Sequence, residues 1–216
     1  MINTKDQEEL LKLIADYLKK DVSCYAIGGT AMMFYGYKNA TKDIDLVFLD
    51  KADRDEFIRA IKELGYSERS MKEVYDEKRQ AMKSKPLMFS RGDERFDLFL
   101  FDVLGFEFRG EYKEQIKEKR VFISDRGPEL TVNLLPIEFV VLLKAITSRE
   151  KDMEDIKDVL KIEKNLDWGL IIDEAVKQRG VKGWILYDLE EKMQELKKVV
   201  FIPSKYFERI YEREKE

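Results

Sequence analysis

The chain has 216 residues, 44% of them hydrophobic, which is enough for a folded core and excludes a globally disordered protein. A net charge of -4 gives no general preference for nucleic acid, and the absence of histidine from the sequence excludes histidine bases, Ser/His or Cys/His nucleophiles and ordinary zinc sites. The single cysteine, Cys24, cannot form an internal disulfide, so the sequence predicts a reducing, cytoplasmic compartment. No apolar run predicts a signal peptide or a membrane span.

Helical and strand patterns alternate over residues 1–135, which predicts an α/β (α+β) domain with a mixed sheet and flanking helices. The predicted elements are, in chain order, a helix over Asp6–Lys20, a strand over Val22–Ile27, a helix over Thr30–Tyr37, a strand over Ile44–Leu49, a helix over Asp53–Leu64, strands over Leu87–Arg91 and Arg95–Phe101, a helix over Gly110–Arg120, and strands over Val121–Ser124 and Glu129–Asn133. The charged stretch Ser67–Lys85 fits either a mobile loop or a short helix.

The pattern changes at Pro136, after which the period is helical throughout. The predicted helices are Ile137–Thr147, Glu150–Glu163, Trp168–Arg179, Trp184–Lys198 and Ser204–Glu214. Residues 136–216 are therefore expected to form a helical domain packed against the first. Its aromatic residues fall at helical spacing, which favours core positions over a stacking surface; they are Trp168, Trp184, Tyr187, Phe201 and Phe207.

Two aspartates, Asp43 and Asp45, flank Ile44 at the start of a predicted strand. Side chains two positions apart on a strand leave the same face, so the two carboxylates repel each other unless a cation neutralises them. Magnesium takes hard oxygen ligands and shares them with a triphosphate. Two solvated charges at a strand edge are the alternative.

Gly28 and Gly29 lie between a predicted strand and a helix. Glycine lets the backbone approach an anion closely, and the following helix N-terminus favours phosphate. Thr30 adds a hydroxyl to this turn. The alternative is a turn with no further role.

Asp97 interrupts the apolar strand Arg95–Phe101. A carboxylate in such a strand needs a metal, a hydrogen bond, a salt bridge or access to solvent. A salt bridge to Arg95 or to a neighbouring lysine is therefore the alternative to a metal ligand.

These residues together resemble the signature of the nucleotidyltransferase-fold superfamily. The matching segments are Ile27-Gly28-Gly29, then thirteen residues, Asp43-Ile44-Asp45-Leu46, and later Phe96-Asp97-Leu98. The resemblance covers about the first half of the chain and implies a nucleotidyltransferase-like catalytic domain over residues 1–135.

The resemblance implies a metal-dependent reaction and assigns the roles in it. Asp43, Asp45 and Asp97 would be the catalytic and metal-binding residues for Mg²⁺ or Mn²⁺, with Asp97 also deprotonating the acceptor hydroxyl. Gly28, Gly29 and Thr30 would bind the nucleoside triphosphate. The hydroxyl would attack the α-phosphorus in line and release pyrophosphate.

The segment after Pro136 is similar to one in abortive-infection-type (type IV toxin–antitoxin) nucleotidyltransferases and their uncharacterised relatives. The matching residues are Lys144, Arg149, Asp152 and Asp155. This resemblance implies a nucleotide-binding role for Lys144, through a phosphate. The alternatives are that its ammonium reaches solvent or pairs with Asp152 or Asp155.

The predicted function is thus transfer of a nucleoside monophosphate to a hydroxyl of tRNA or protein, as in a toxin–antitoxin module with an antitoxin partner. Two alternatives stay open: an inert nucleotidyltransferase-fold binding or antitoxin module, and an enzyme that modifies a small molecule such as an aminoglycoside. Basic clusters at Lys78–Lys85 and Lys113–Arg120 would suit an RNA acceptor, but such charge runs are also typical of solvated surfaces. The sequence indicates neither the base nor the oligomeric state.

Overall fold

The computed structural model describes residues 1–69, 85–125, 127–147 and 149–215. The chain divides into two compact units, Met1–Leu135 and Pro136–Glu216. Each unit is described by itself. No helix within the described ranges has both the length and the apolar composition needed to cross a membrane.

The first unit contains short and long strands with helices between them. Its elements are β1 (Ile2–Asn3), α1 (Thr4–Tyr17), β2 (Val22–Ala26), α2 (Gly28–Phe34), β3 (Ala40–Thr41), β4 (Ile44–Phe48), α3 (Lys51–Glu63), β5 (Ser67–Arg69), β6 (Leu87–Arg91), β7 (Glu94–Leu100), β8 (Asp102–Val103), β9 (Phe106–Glu107), a 3-10 helix (Gly110–Gln115), β10 (Glu118–Ile123) and β11 (Glu129–Leu134).

Seven of these strands form one sheet in the order β10-β11-β2-β4-β7-β6-β5. The pairs β2–β11 and β4–β7 are parallel, whereas the remaining neighbours in this sheet are antiparallel. The predicted α/β class with a mixed sheet is therefore confirmed.

One face of the sheet is apolar and forms the core with the helices. Alternate residues of β4 and β7 point to this face, and Phe57 of α3 packs its ring 5.5 Å from Phe48 and 5.6 Å from Phe96. Helix α1 contributes the buried side chains Leu11 and Ile14. The intervening residues of the same strands, which include Asp45 and Asp97, must then lie on the opposite face.

The predicted helix over Gly110–Arg120 is wrong in its second half. Residues Gly110–Gln115 form a 3-10 helix, and Glu118–Ile123 form β10, which pairs with β11 along its whole length. Local charge spacing favoured a helix, but tertiary pairing with a neighbouring strand decided the structure. Of the stretch Ser67–Lys85, Ser67–Arg69 form a strand. Most of that stretch, including most of the basic cluster Lys78–Lys85, lies outside the described residues.

The second unit consists of helices in its described residues. They are α4 (Ile137–Ala145), α5 (Glu150–Ile162), α6 (Trp168–Gln178), α7 (Ile185–Leu196) and α8 (Ser204–Glu214). Trp168 and Phe207 are buried, as the helical spacing predicts. The same prediction is wrong for Trp184, Tyr187 and Phe201, which are 74%, 55% and 89% exposed. Trp184 and Phe201 lie outside α7, where helical spacing does not determine burial.

Candidate active site

The Gly28-Gly29 turn follows β2 and lies against the start of β4. Gly28 has φ +55°, and a Cβ at this position would stand 2.8 Å from Oδ2 of Asp45. A Cβ on Gly29 would stand 2.5 Å from Oγ1 of Thr41. Both distances are too short for a side chain. Glycine therefore lets the backbone lie this close to the Asp45 carboxylate at position 28 and to the Thr41 side chain at position 29.

Two hydrogen bonds hold this turn against Asp45. The backbone N–H of Ile27 donates to the Asp45 carbonyl at 3.2 Å, and the backbone N–H of Asp45 donates to Oγ1 of Thr30 at 2.8 Å. Thr30 is fully buried. Its oxygen thus positions Asp45, while its predicted contact with a triphosphate stays a prediction.

Asp45 and Asp97 are brought together by the parallel pairing of β4 and β7. Their Cα atoms are direct partners in the register, so the two side chains leave the same face of adjacent strands. Asp43 lies two positions before Asp45, and Arg95 lies two positions before Asp97. The three predicted carboxylates and one guanidinium therefore share one corner of this face.

Arg95 bridges two of the carboxylates. Its Nη2 lies 2.5 Å from Oδ2 of Asp43 and donates to Oδ2 of Asp97 at 3.2 Å, and its Nε lies 3.0 Å from Oδ1 of Asp97. Asp97 is only 2% exposed, so this charge neutralisation stabilises a carboxylate that water cannot reach. The sequence left open the pairing of Asp97 with Arg95 and missed the contact with Asp43. The spacing of Arg95 and Asp97, two positions apart on one strand, signals only their own contact, whereas the contact with Asp43 also needs the register of β4 and β7.

The donor set suits a hard divalent cation, because carboxylate oxygens are its preferred ligands. Among the described residues, however, no group of three or more His, Cys, Asp or Glu side chains is placed so that it could hold a metal ion. The Arg95 guanidinium lies between Asp43 and Asp97. The metal assignment of Asp43, Asp45 and Asp97 stays a prediction.

A cavity of about 430 Å³ opens beside this corner. Its charged lining mixes both signs and consists of Lys42, Asp43, Arg69, Asp93, Glu94 and Arg95. The cavity is large enough for a small ligand, and anionic groups in it could contact Lys42, which makes no ion pair within the described residues.

Lys144 belongs to the second unit, where it is 5% exposed. Its ammonium lies 3.0 Å from Oδ1 of Asp152 and 2.5 Å from Oδ2 of Asp155. Burial alone would raise the pKa of Asp152, but Lys144, with hydrogen bonds from Arg149 and Thr147, holds that pKa below its usual value. The pairing that the sequence kept open is thus present, and a phosphate contact by Lys144 stays a prediction.

Comparisons with known proteins give little beyond this geometry. No family model matches the chain, and no curated protein matches it. One solved structure, described as a "putative nucleotidyltransferase from H. pylori", shares 14% identity with a TM-score of 0.43, covering 98% of this chain and 91% of that one. At this identity and TM-score the likeness assigns neither family nor function.

Proposed function

We propose that the protein is a nucleotidyltransferase that moves a nucleoside monophosphate from a nucleoside triphosphate to a hydroxyl acceptor. One observation carries the proposal: Asp45 and Asp97 are register partners on adjacent parallel strands, with the Gly28 backbone packed against the Asp45 carboxylate. Acidic side chains on adjacent strands supply oxygen ligands for a divalent cation, and a tight glycine turn lets the backbone approach an anion closely.

The proposed roles follow this arrangement. Asp43, Asp45 and Asp97 would hold Mg²⁺ or Mn²⁺, which when bound would neutralise charge on the triphosphate and on the leaving pyrophosphate. Gly28 and Gly29 would let the backbone approach the triphosphate, and Thr30 would keep Asp45 in position through its backbone N–H. Asp97, the most buried of the three carboxylates, would accept the proton of the acceptor hydroxyl.

Direct measurement of transfer tests the proposal. The protein is incubated with each of four α-³²P-labelled nucleoside triphosphates, Mg²⁺ or Mn²⁺, and total tRNA or a protein extract as acceptor. The Asp43→Ala/Asp45→Ala double variant is the control for contaminating activity. We expect wild-type protein to transfer label and release pyrophosphate; labelling equal to that of the double variant with every nucleotide would refute the proposal.

A catalytically inert binding module, such as an antitoxin, is the second candidate. Arg95 favours it, because the guanidinium neutralises Asp43 and Asp97 without any metal. An inert module would keep its biological effect in the Asp43→Ala/Asp45→Ala variant, whereas an enzyme would lose it. Toxicity or neutralisation assays in cells that express either protein separate the two.

Arg95 is expected to compete with the cation for the carboxylates. Replacing it with glutamine (Arg95→Gln) should raise the affinity for Mn²⁺ about tenfold, since Asp43 and Asp97 would no longer have a guanidinium between them. Titration of free Mn²⁺ by electron paramagnetic resonance measures this without any turnover.

Lys42→Gln provides the matched control. Lys42 lines the same cavity, and within the described residues it makes no ion pair, so the variant removes the same charge without releasing a carboxylate. We expect its Mn²⁺ affinity to rise by about twofold at most. An unchanged or weakened affinity in Arg95→Gln would show that Arg95 does not occupy the cation's place.

A further inference from the structure

A second cavity of about 460 Å³ lies in the first unit, away from the carboxylate corner. Its wall comes from β2, α3, β10, β11, the 3-10 helix and the segment between β4 and α3. It includes none of Gly28, Gly29, Asp43, Asp45 or Asp97. Tyr25 is the register partner of Val47 and therefore faces the same side of the sheet as Asp45. The cavity and the carboxylates thus share one sheet face at different positions along the strands.

Tyr25 supplies a hydroxyl that borders the cavity and has no hydrogen-bond partner within the described residues. It is 3% exposed and lines the cavity, and its hydroxyl makes no hydrogen bond with any residue in the described ranges. The ring is fixed against Phe108 at a centroid distance of 5.9 Å. Burial raises the pKa of Tyr25, so the phenol stays protonated and can donate. A ligand in the cavity could therefore accept a hydrogen bond from this hydroxyl.

Two lysines of this cavity have no ion pair within the described residues. Lys113 and Lys119 line it and make no ion pair with the described part of the chain. The two acidic residues of the wall are already engaged. Asp50 caps α3 by accepting from the Ala52 N–H at 2.6 Å, and Asp53 pairs with Lys20 at 2.6 Å.

Asn133 and Ser23 add polar groups whose orientation is fixed. The Asn133 amide donates to Oγ of Ser23 and to the carbonyl of Cys24, both at 2.9 Å. Its amide oxygen is then left as an acceptor, and the Ser23 hydroxyl is left as a donor. The cavity therefore offers two ammonium groups, two hydroxyl donors and one acceptor.

We propose that this cavity binds the phosphate monoester of a small molecule of nucleotide or sugar size. Phosphate oxygens would accept from Tyr25, Ser23 and the two lysines, and a hydroxyl of the ligand would donate to Asn133. The volume lies in the range of small-molecule sites. Since charge-assisted hydrogen bonds are the stronger ones, the phosphate would supply most of the affinity.

Titration of ¹⁵N-labelled full-length protein with ribose 5-phosphate tests this site. We expect saturable shifts of the backbone amides of Tyr25, Lys119 and Asn133, and none with ribose. Tyr25→Phe removes only the hydroxyl and should weaken binding about tenfold, as should Lys119→Gln. Lys117→Gln removes a charge two positions away that does not line the cavity, so its affinity should stay within about twofold.

Several outcomes would overturn the proposal. Amide shifts confined to Gly28–Thr30 would assign the phosphate to the proposed nucleotide site instead. Wild-type affinity in both Tyr25→Phe and Lys119→Gln would show that the ligand does not bind in this cavity. Equal losses in Lys117→Gln and Lys119→Gln would indicate non-specific attraction. If Tyr25→Phe folds poorly, the Lys119→Gln variant still tests the proposal, because Lys119 is exposed. The Asp45→Asn variant should bind as wild type does, because Asp45 lies outside this cavity.

Discussion

Replacing Asp45 with asparagine is expected to lower nucleotidyl transfer by about a thousandfold. The substitution keeps the size of the side chain and removes one negative charge from the corner where Asp45 adjoins Asp97. A bound cation contributes several kcal/mol to the stabilisation of charge in the transition state, and about 4 kcal/mol corresponds to three orders of magnitude in rate. Single-turnover transfer of ³²P label under saturating nucleotide measures the loss.

Asp93→Asn is the matched control for this variant. Asp93 lies in the turn between β6 and β7 and lines the cavity beside the carboxylate corner, but it lies outside the paired strand positions. We expect a rate within about threefold of wild type, because the charge is exposed and screened. Circular dichroism must give the same fold for both variants. If the transfer rate falls less than tenfold in Asp45→Asn, or falls equally in Asp93→Asn, Asp45 has no specific role in the reaction.

The local sequence pattern was sufficient to predict β4 and β7, the two strands that carry the carboxylates. Alternation of apolar and polar residues placed Ile44 and Phe96 in the core and Asp45 and Asp97 on the opposite face, and the structure has that arrangement. The glycine pair predicted a tight turn after the strand, and Gly28 has the positive φ that such a turn favours, whereas its role in binding stays a prediction. The close approach of the Thr41 side chain to Gly29 was not predictable, since it depends on a contact between separate elements, β3 and α2.

Ionic contacts were the least predictable part of the site. The position of Arg95 in the sequence shows that it can reach Asp97, but the contact with Asp43 requires the parallel register of β4 and β7, which no local pattern gives. The strand β10 was missed for a related reason, because its pairing with β11 outweighs the helical spacing of its charges. Non-local pairing thus decided the features that the sequence left open.

Replacement of Lys144 is the second change with a large expected effect, and this effect is on stability instead of catalysis. Replacing it with methionine is expected to lower the free energy of unfolding of the helical unit by about 3 kcal/mol, because Asp152 and Asp155 would stay buried without the ammonium between them. Both tryptophans of the chain, Trp168 and Trp184, lie in this unit. Denaturant unfolding followed by tryptophan fluorescence therefore reports on it.

The pH dependence of this loss has a definite sign. The folded-state pKa of Asp152 is depressed, so its contribution to stability is present above the unfolded value of about 3.9 and is lost as pH falls through the folded pKa. The difference in stability between wild type and Lys144→Met should consequently be full at pH 7 and shrink below about pH 4. A difference independent of pH would assign the loss to packing of the lysine stem.

A surface ion pair and a compensating change complete the test of Lys144. Lys161→Met breaks the exposed pair with Asp158, which lies at 2.7 Å, and should change stability little. Lys144→Met combined with Asp155→Leu should recover part of the loss, since an apolar pair replaces an unbalanced buried charge. If Lys144→Met instead keeps wild-type stability and loses nucleotide affinity, the ammonium acts on a phosphate. Loss of stability with nucleotide affinity intact would make Lys144 a structural residue of the helical unit.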